Sequence, residues 1–252
     1  MPEARVSKQT SPVLDREELL REGGELEGES PQRVLRWAAE RFGERLALSV
    51  SFGGAEGIVL LDMLSRITES ATVFTLDTGF LFEETVRFRE KTMSRYPSLR
   101  LEVVRPELSV EEQVARYGER MRSCSPDLCC QIRKVEPQKR FLENYDAWVS
   151  GIRRDQTPFR ADTPVVGWDE FFGVVKISPL AAWSRDEVMR YVEERDLPLN
   201  PLLSRGYRSI GCAPQTRPVS EGEDERAGRW PGMEKTECGI HIVNGKVRRA
   251  DS

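Results

Sequence analysis

The chain has 252 residues, of which 38% are hydrophobic and 32% charged, enough apolar material for one sizeable core and most simply one α/β domain. A net charge of −4 argues against a broad nucleic-acid-binding face, so any anionic ligand must be held by a local cluster of Arg and Lys. No run approaches the ~18 apolar residues of a membrane span, and residues 1–5 begin no signal peptide, which points to the cytoplasm.

Residues 1–30 are polar and Glu-rich, and predict either a loose N-terminal arm or a short first helix near 15–21. From Pro31 the apolar residues Val34, Leu35, Ala38 and Phe42 recur at three- and four-residue steps, predicting a helix and opening a nucleotide-binding unit over 31–205. Residues 46–51 read as a buried strand running into Phe52-Gly53-Gly54-Ala55-Glu56-Gly57, after which 58–64 read as a helix. Strand, glycine turn and helix aim backbone N–H groups and a helix N-terminus at a phosphate. The loop lacks the Gly-Lys-Ser/Thr of a Walker A sequence, and alone it is equally a plain tight turn.

A second strand, 71–77, ends in Asp77-Thr78-Gly79; a helix over 82–95 and a third strand over 99–104 follow. Alternation of this kind predicts a doubly wound, mostly parallel sheet with its ligand at the carboxyl ends of the strands. Ser51, Phe52, Gly53 and Gly54 lie at one such end and Asp77, Thr78 and Gly79 at another, which makes them the expected nucleotide contacts, Asp77 as a hydrogen-bond acceptor.

After a helix over 110–117 comes Cys124-Ser125-Pro126-Asp127-Leu128-Cys129-Cys130-Gln131-Ile132-Arg133-Lys134-Val135. Pro126 marks a helix start and puts Cys129 and Cys130 in its first turns. They are either two small core residues or thiolate ligands of iron steadied by Arg133 and Lys134. Five cysteines, two of them adjacent, make an awkward disulfide framework, and a reducing compartment fits better.

A strand over 147–152 delivers Gly151, Arg153, Arg154 and then Arg160, either a solvated rim or a phosphate- or sulfate-binding edge. A strand over 172–177 and a helix opened by the capping box Ser184-Arg185-Asp186-Glu187 complete the regular structure. Residues 206–252 form a polar C-terminal segment carrying Cys212, Arg226, Arg229 and Cys238, with the single histidine, His241, three residues further on. A cysteine in polar surroundings is either an idle solvent-facing thiol or a reactive one. With a phosphate-type loop, a paired-cysteine helix and an arginine rim elsewhere in the chain, Cys238 reads as a nucleophile.

Several motifs in one order carry a resemblance to a known family. They are Leu76-Asp77-Thr78-Gly79, Cys129-Cys130-Gln131-Ile132-Arg133-Lys134-Val135, Gly151-Ile152-Arg153-Arg154-Asp155-Gln156, Tyr207-Arg208-Ser209-Ile210-Gly211-Cys212, Thr216-Arg217-Pro218-Val219, Gly228-Arg229-Trp230 and Glu237-Cys238-Gly239-Ile240-His241. Over about 46–241 the chain resembles the assimilatory adenylyl-sulfate and phosphoadenylyl-sulfate reductases, thioredoxin-dependent enzymes that make sulfite. The resemblance implies an adenine-nucleotide α-hydrolase-like fold, a modified pyrophosphate loop over 51–57, and Cys238 as the catalytic thiol on a mobile tail. Lys134, Arg153, Arg154, Arg226 and Arg229 would screen the sulfate and the leaving phosphate, while His241 either helps hold the thiolate or packs. Thioredoxin is the implied partner and a homo-oligomer the expected assembly.

Members with Cys-Cys and a later Cys-x-x-Cys carry a [4Fe–4S] cluster and generally use adenylyl sulfate; members lacking them use the 3′-phosphorylated nucleotide. This chain has Cys129, Cys130 and Cys212, but Gln215 stands where the fourth ligand belongs, and a neutral amide is a poor partner for iron beside thiolates. The expectation is a [4Fe–4S] centre anchored by three cysteines and reduction of adenylyl sulfate. Rival readings are a cluster-free phosphoadenylyl-sulfate reductase, an ATP pyrophosphatase, whose Ser-Gly-Gly-x-Asp-Ser loop is interrupted here by Phe52, and a non-catalytic iron–sulfur protein.

Overall fold

In the computed structural model, residues 15–233, 235 and 237–240 are described. Asp15 caps α1 (Arg16–Glu25), accepting from the N–H groups of Glu17 and Glu18. Residues 16–25 are a docked helix and not a loose arm, because Leu19 is buried and Gly23 lies flat on the sheet. A Cβ at Gly23 would stand 2.7 Å from the Val166 Cβ, so only glycine lets the helix approach this closely.

Ser30 and Pro31 start α2 (Pro31–Phe42), which leads into β1 (Leu46–Ser49). Helix α3 (Ala55–Ser65) is buried along most of its length and carries the chain to β2 (Thr72–Leu76). Next come α4 (Glu83–Met93), β3 (Arg100–Val104) and α5 (Val110–Tyr117), the last opened by a Ser109–Glu112 capping box. A short α6 (Met121–Cys124) and α7 (Pro126–Cys130) run through one π turn, Gln131–Val135, into α8 (Glu136–Leu142). Pro137 accounts for that turn, since it has no N–H to give and its ring would crowd the Arg133 carbonyl in an α-helix. The Glu136 N–H bonds instead to the carbonyl of Gln131, five residues back.

Strands β4 (Ala147–Val149), β5 (Val166–Asp169) and β6 (Val174–Ile177) complete a six-stranded sheet of order β3-β2-β1-β4-β6-β5, and α9 (Arg185–Glu194) follows. All neighbours pair in parallel except the edge strand β5, antiparallel to β6. The sheet is thus the mostly parallel α/β type the alternation predicts. The last strand starts at Val174 and not at Phe172, because the turn between β5 and β6 needs Gly173 at φ 69°.

Side-chain alternation divides the core between the two faces. Leu46 and Leu48 of β1, Val149 of β4 and Ile177 of β6 join α2, α3 and α9 in the larger cluster. Ala47, Trp148 and Val174 face the other way, onto Leu142 of α8. Parallel order reverses direction between β1 and β4, and their carboxyl ends therefore open a crevice at the switch point.

The described part of the C-terminal segment is tied down, contrary to a polar tail with nothing to bury. Trp230 is only 1% exposed. The Arg217 N–H donates to the Gly228 carbonyl at 2.9 Å and the Trp230 N–H to that of Gln215 at 3.0 Å. Among the described residues no helix is long and apolar enough to cross a membrane.

Candidate active site

The switch-point crevice holds about 260 Å³. Its floor is the loop after β1. There Phe52 is buried with φ at 55°, a left-handed conformation costly for a bulky residue, and Asn200 Nδ2 donates to its carbonyl at 2.9 Å. The loop turns into α3 at Gly54. Gly151, at the end of β4, touches the first turn of that helix: a Cβ there would lie 3.0 Å from the Glu56 Cβ. Val50, Ser51, residues 54–57, Ser150 and Gly151 line the same space, together with Ile210, Gly211 and Cys212.

Seven cationic residues line the crevice (Lys134, Arg153, Arg160, Arg185, Arg208, Arg226 and Arg229) against two carboxylates, Glu56 and Glu225. An acidic chain has concentrated its positive charge here. Arg153 is held by Glu56 and by Asp155 at 2.9 Å. The Arg229 guanidinium lies over the Trp230 ring, 4.4 Å from its centroid, and against Gly211, where a Cβ would come within 2.2 Å of its Nη2. The pairing of glycine with arginine brings the charge to the crevice wall.

Cys238 lines the same space. Burial pushes its thiol up, and Glu237 adds to this; the Lys134 ammonium, the Ile240 N–H and Arg229 outweigh both and hold it below the ordinary cysteine value. Lys134 shows the reciprocal effect: burial would lower its ammonium, but the sulfurs of Cys212, Cys238 and Cys130 hold it above the usual range. A half-buried cation beside a cysteine with a lowered pKa is the setting of a nucleophile.

Of the residues expected from sequence, Ser51, Gly54, Thr78, Gly151, Arg153, Lys134, Arg226, Arg229, Cys212 and Cys238 line the crevice. Five expected nucleotide contacts do not. Phe52 turns into the core, and Gly53 is covered by Ile210, which a Cβ would meet at 3.0 Å. Asp77 accepts from the Gly79 N–H at 3.1 Å and faces Arg105 and Arg89 at 3.5 and 3.8 Å, a turn-forming role shared with Gly79. Arg154 points away, paired with Glu27 at 2.9 Å and donating to the Thr163 carbonyl at 2.8 Å. His241 lies outside the described residues. Glu56, Gln156, Arg185 and Arg208 are crevice residues that sequence reasoning did not single out. Arg208 stood inside a quoted motif and was legible there; Arg185 was hidden in a helix-capping sequence.

The expected iron ligands stand behind Lys134. Cys129 and Cys130 are buried on α7, and burial pushes both thiols up, Cys130 to about 11. Gln113 Nε2 approaches the Cys129 sulfur at 3.9 Å, and Cys212 lies 3.4 Å from Thr78 Oγ1. Gln215 is buried, and its Nε2 donates to the Arg122 carbonyl at 2.7 Å. Among the described residues no group of three or more His, Cys, Asp or Glu is arranged to hold a metal ion. Cys129, Cys130 and Cys212 are thus not gathered as a metal site here, and Gln215, turned to Arg122, offers no fourth thiolate.

Comparison with known proteins gives this crevice a context. A family model described as phosphoadenosine phosphosulfate reductase domain matches residues 45–218. A Halalkalibacterium halodurans protein named adenosine 5′-phosphosulfate reductase is 48% identical over 216 residues, 86% of this chain and 93% of that one. A Gloeobacter violaceus protein named phosphoadenosine 5′-phosphosulfate reductase is 49% identical over 214 residues, 84% of this chain and 88% of that one. The crystal structure of a phosphoadenylyl-sulfate reductase from Candida auris, in complex with phosphate, superposes with a TM-score of 0.69 at 31% identity, covering 82% of this chain and all of that one. An FMN adenylyltransferase from Candida glabrata, at 17% identity and a TM-score of 0.55, shares the fold.

Proposed function

The chain belongs to the phosphoadenosine phosphosulfate reductase family, and on that footing we propose that it reduces adenylyl sulfate to sulfite and AMP through Cys238. One observation carries the reading: the thiol held low by Lys134 opens on the same crevice as the glycine loop after β1. The loop and the first turn of α3 offer N–H groups to the nucleotide's phosphate. The Cys238 thiolate attacks the sulfate sulfur, forming an S–S bond, while the S–O bond to phosphorus breaks and its electron pair leaves with AMP. Anion meets anion in this step, and Lys134 and Arg229 offset the repulsion. A dithiol, which we take to be thioredoxin, attacks the Cys238 sulfur of the resulting thiosulfonate. Sulfite leaves with the electron pair of the S–S bond, and the second thiol resolves the mixed disulfide. The same reading carries a cytoplasmic location and a homo-oligomeric state.

Sulfite release from adenylyl sulfate and from its 3′-phosphorylated form tests the substrate directly. Turnover of adenylyl sulfate is expected; turnover of the phosphorylated nucleotide alone would replace it. ATP consumption without sulfite would return the chain to the pyrophosphatases.

A [4Fe–4S] centre on Cys129, Cys130 and Cys212 is a separate part of the proposal. Support comes from three sulfurs, Cys130, Cys212 and Cys238, acting on the Lys134 ammonium, two of them in this ligand set. Bound there, the centre would add charge beside Lys134. Anaerobically purified protein is expected to contain iron and acid-labile sulfide that are lost in air. Gln215→Cys should slow that loss, while removing the 2.7 Å bond to Arg122 should cost the apo protein ~1 kcal/mol. Protein with neither iron nor sulfide would refute the centre.

A further inference from the structure

The residue before the nucleophile, Glu237, does not line the crevice itself but is a firmly anchored acid. Both oxygens of Glu237 are taken by Arg160, through Nε at 2.9 Å and Nη2 at 2.7 Å, with Thr157 Oγ1 and Arg226 Nη2 each at 3.4 Å. The pair is nearly dry, with side-chain exposures of 7% for Arg160 and 12% for Glu237. The third nitrogen of Arg160, Nη1, donates to Gln156 Oε1. Each nitrogen of Arg160 is therefore engaged, in three of its five N–H groups, while the residue also lines the crevice. Gln156 in turn donates to Glu56 at 3.1 Å, in the first turn of α3. Polar contacts thus run without a break from the glycine loop to the residue next to Cys238.

We propose that Glu237 is a positioning residue: its ion pair with Arg160, through Gln156 and Glu56, sets the Cys238 sulfur in register with the phosphate-binding loop. The inference rests on Cys238 as the nucleophile. A bidentate arginine–carboxylate pair fixes direction as well as distance, as an in-line attack demands. Releasing the pair frees the thiol from the crevice, and the second step, attack by an external dithiol, needs access to that sulfur. The contact is thus required in the first half-reaction and dispensable in the second.

The test separates the two halves. With adenylyl sulfate and no reductant, Glu237→Gln is expected to accumulate the Cys238 thiosulfonate ~10–100-fold more slowly than wild type. Its AMP affinity should stay within about twofold, and sulfite release by dithiothreitol from the preformed adduct should be as fast or faster. Iodoacetamide should alkylate Cys238 of the free variant faster even at alkaline pH, where the thiol is fully ionised and loss of the Glu237 charge, which raises the thiol, adds nothing. Glu237→Asp, which keeps the charge, should recover part of the first rate. The double variant with Arg160→Gln should be no slower than the worse single one, the sign of a shared contact. Adduct formation at the wild-type rate in Glu237→Gln, or equal slowing of both halves, would overturn the proposal. Absence of any Cys238 adduct in the wild type would instead overturn the reading of Cys238 on which it stands.

Discussion

Cys238→Ser is expected to bind AMP as the wild type does and to release no sulfite from adenylyl sulfate. A serine hydroxyl is scarcely ionised at neutral pH, whereas this thiol is held below the ordinary cysteine value despite burial that pushes it up. The substitution exchanges one atom and leaves the glycine loop and the arginines untouched, so affinity for AMP isolates binding from chemistry. Mass spectrometry of wild-type protein with substrate and no reductant should find one added sulfonate on Cys238. The same adduct on Cys129 or Cys212 would refute the assignment.

The second large effect is expected at Lys134. Lys134→Ala should slow thiosulfonate formation by ~10²–10³-fold, the usual loss when a preorganised electrostatic contact to a developing charge is removed. It also has a signature in pH. In the wild type, burial raises the Cys238 thiol and Lys134 is the largest influence lowering it. Without the ammonium, burial and Glu237 prevail and the thiol rises, so the thiolate appears only at higher pH. The rate of Cys238 alkylation plotted against pH should therefore move in the alkaline direction in Lys134→Ala and return most of the way in Lys134→Arg. An unshifted profile would mean that Lys134 does not act on the thiol.

What the sequence disclosed follows from how each signal is stored. The strands β1, β2, β4 and β6 are short apolar runs between turn residues, and the parallel α/β order is legible in their alternation with helices. Strand β5 is not, because Gly167 and Asp169 break its apolar run and it gains its place by pairing with β6 at an edge. Cys238, Lys134, Arg226 and Arg229, which the fold brings to the crevice, could be singled out because the sequence marks them by residue type. Asp77 and Arg154 read the same way but are spent on local partners, a choice made by side-chain direction that no spacing records. Trp230 shows the reverse: a residue in a polar stretch is buried because the segment folds back over Gln215.

The π turn before α8 has a consequence for how this protein can change over generations. Along an α-helix each residue adds ~100° and ~1.5 Å. Deleting one residue from Gln131–Val135 would close the widened turn to an α turn and leave α7 near its present angle, whereas inserting one would swing α7 by roughly that angle about the axis of α8. Cys129 and Cys130 would leave their buried positions, and Arg133 would lose its bonds to the Ser109 carbonyl at 2.7 Å and to Gln113 at 2.6 Å. Point substitutions along this helix are local events, but a one-codon insertion is global to the site. Lineages descended from this chain should vary in length in exposed turns such as 220–224 and gain no residue between Cys130 and Pro137.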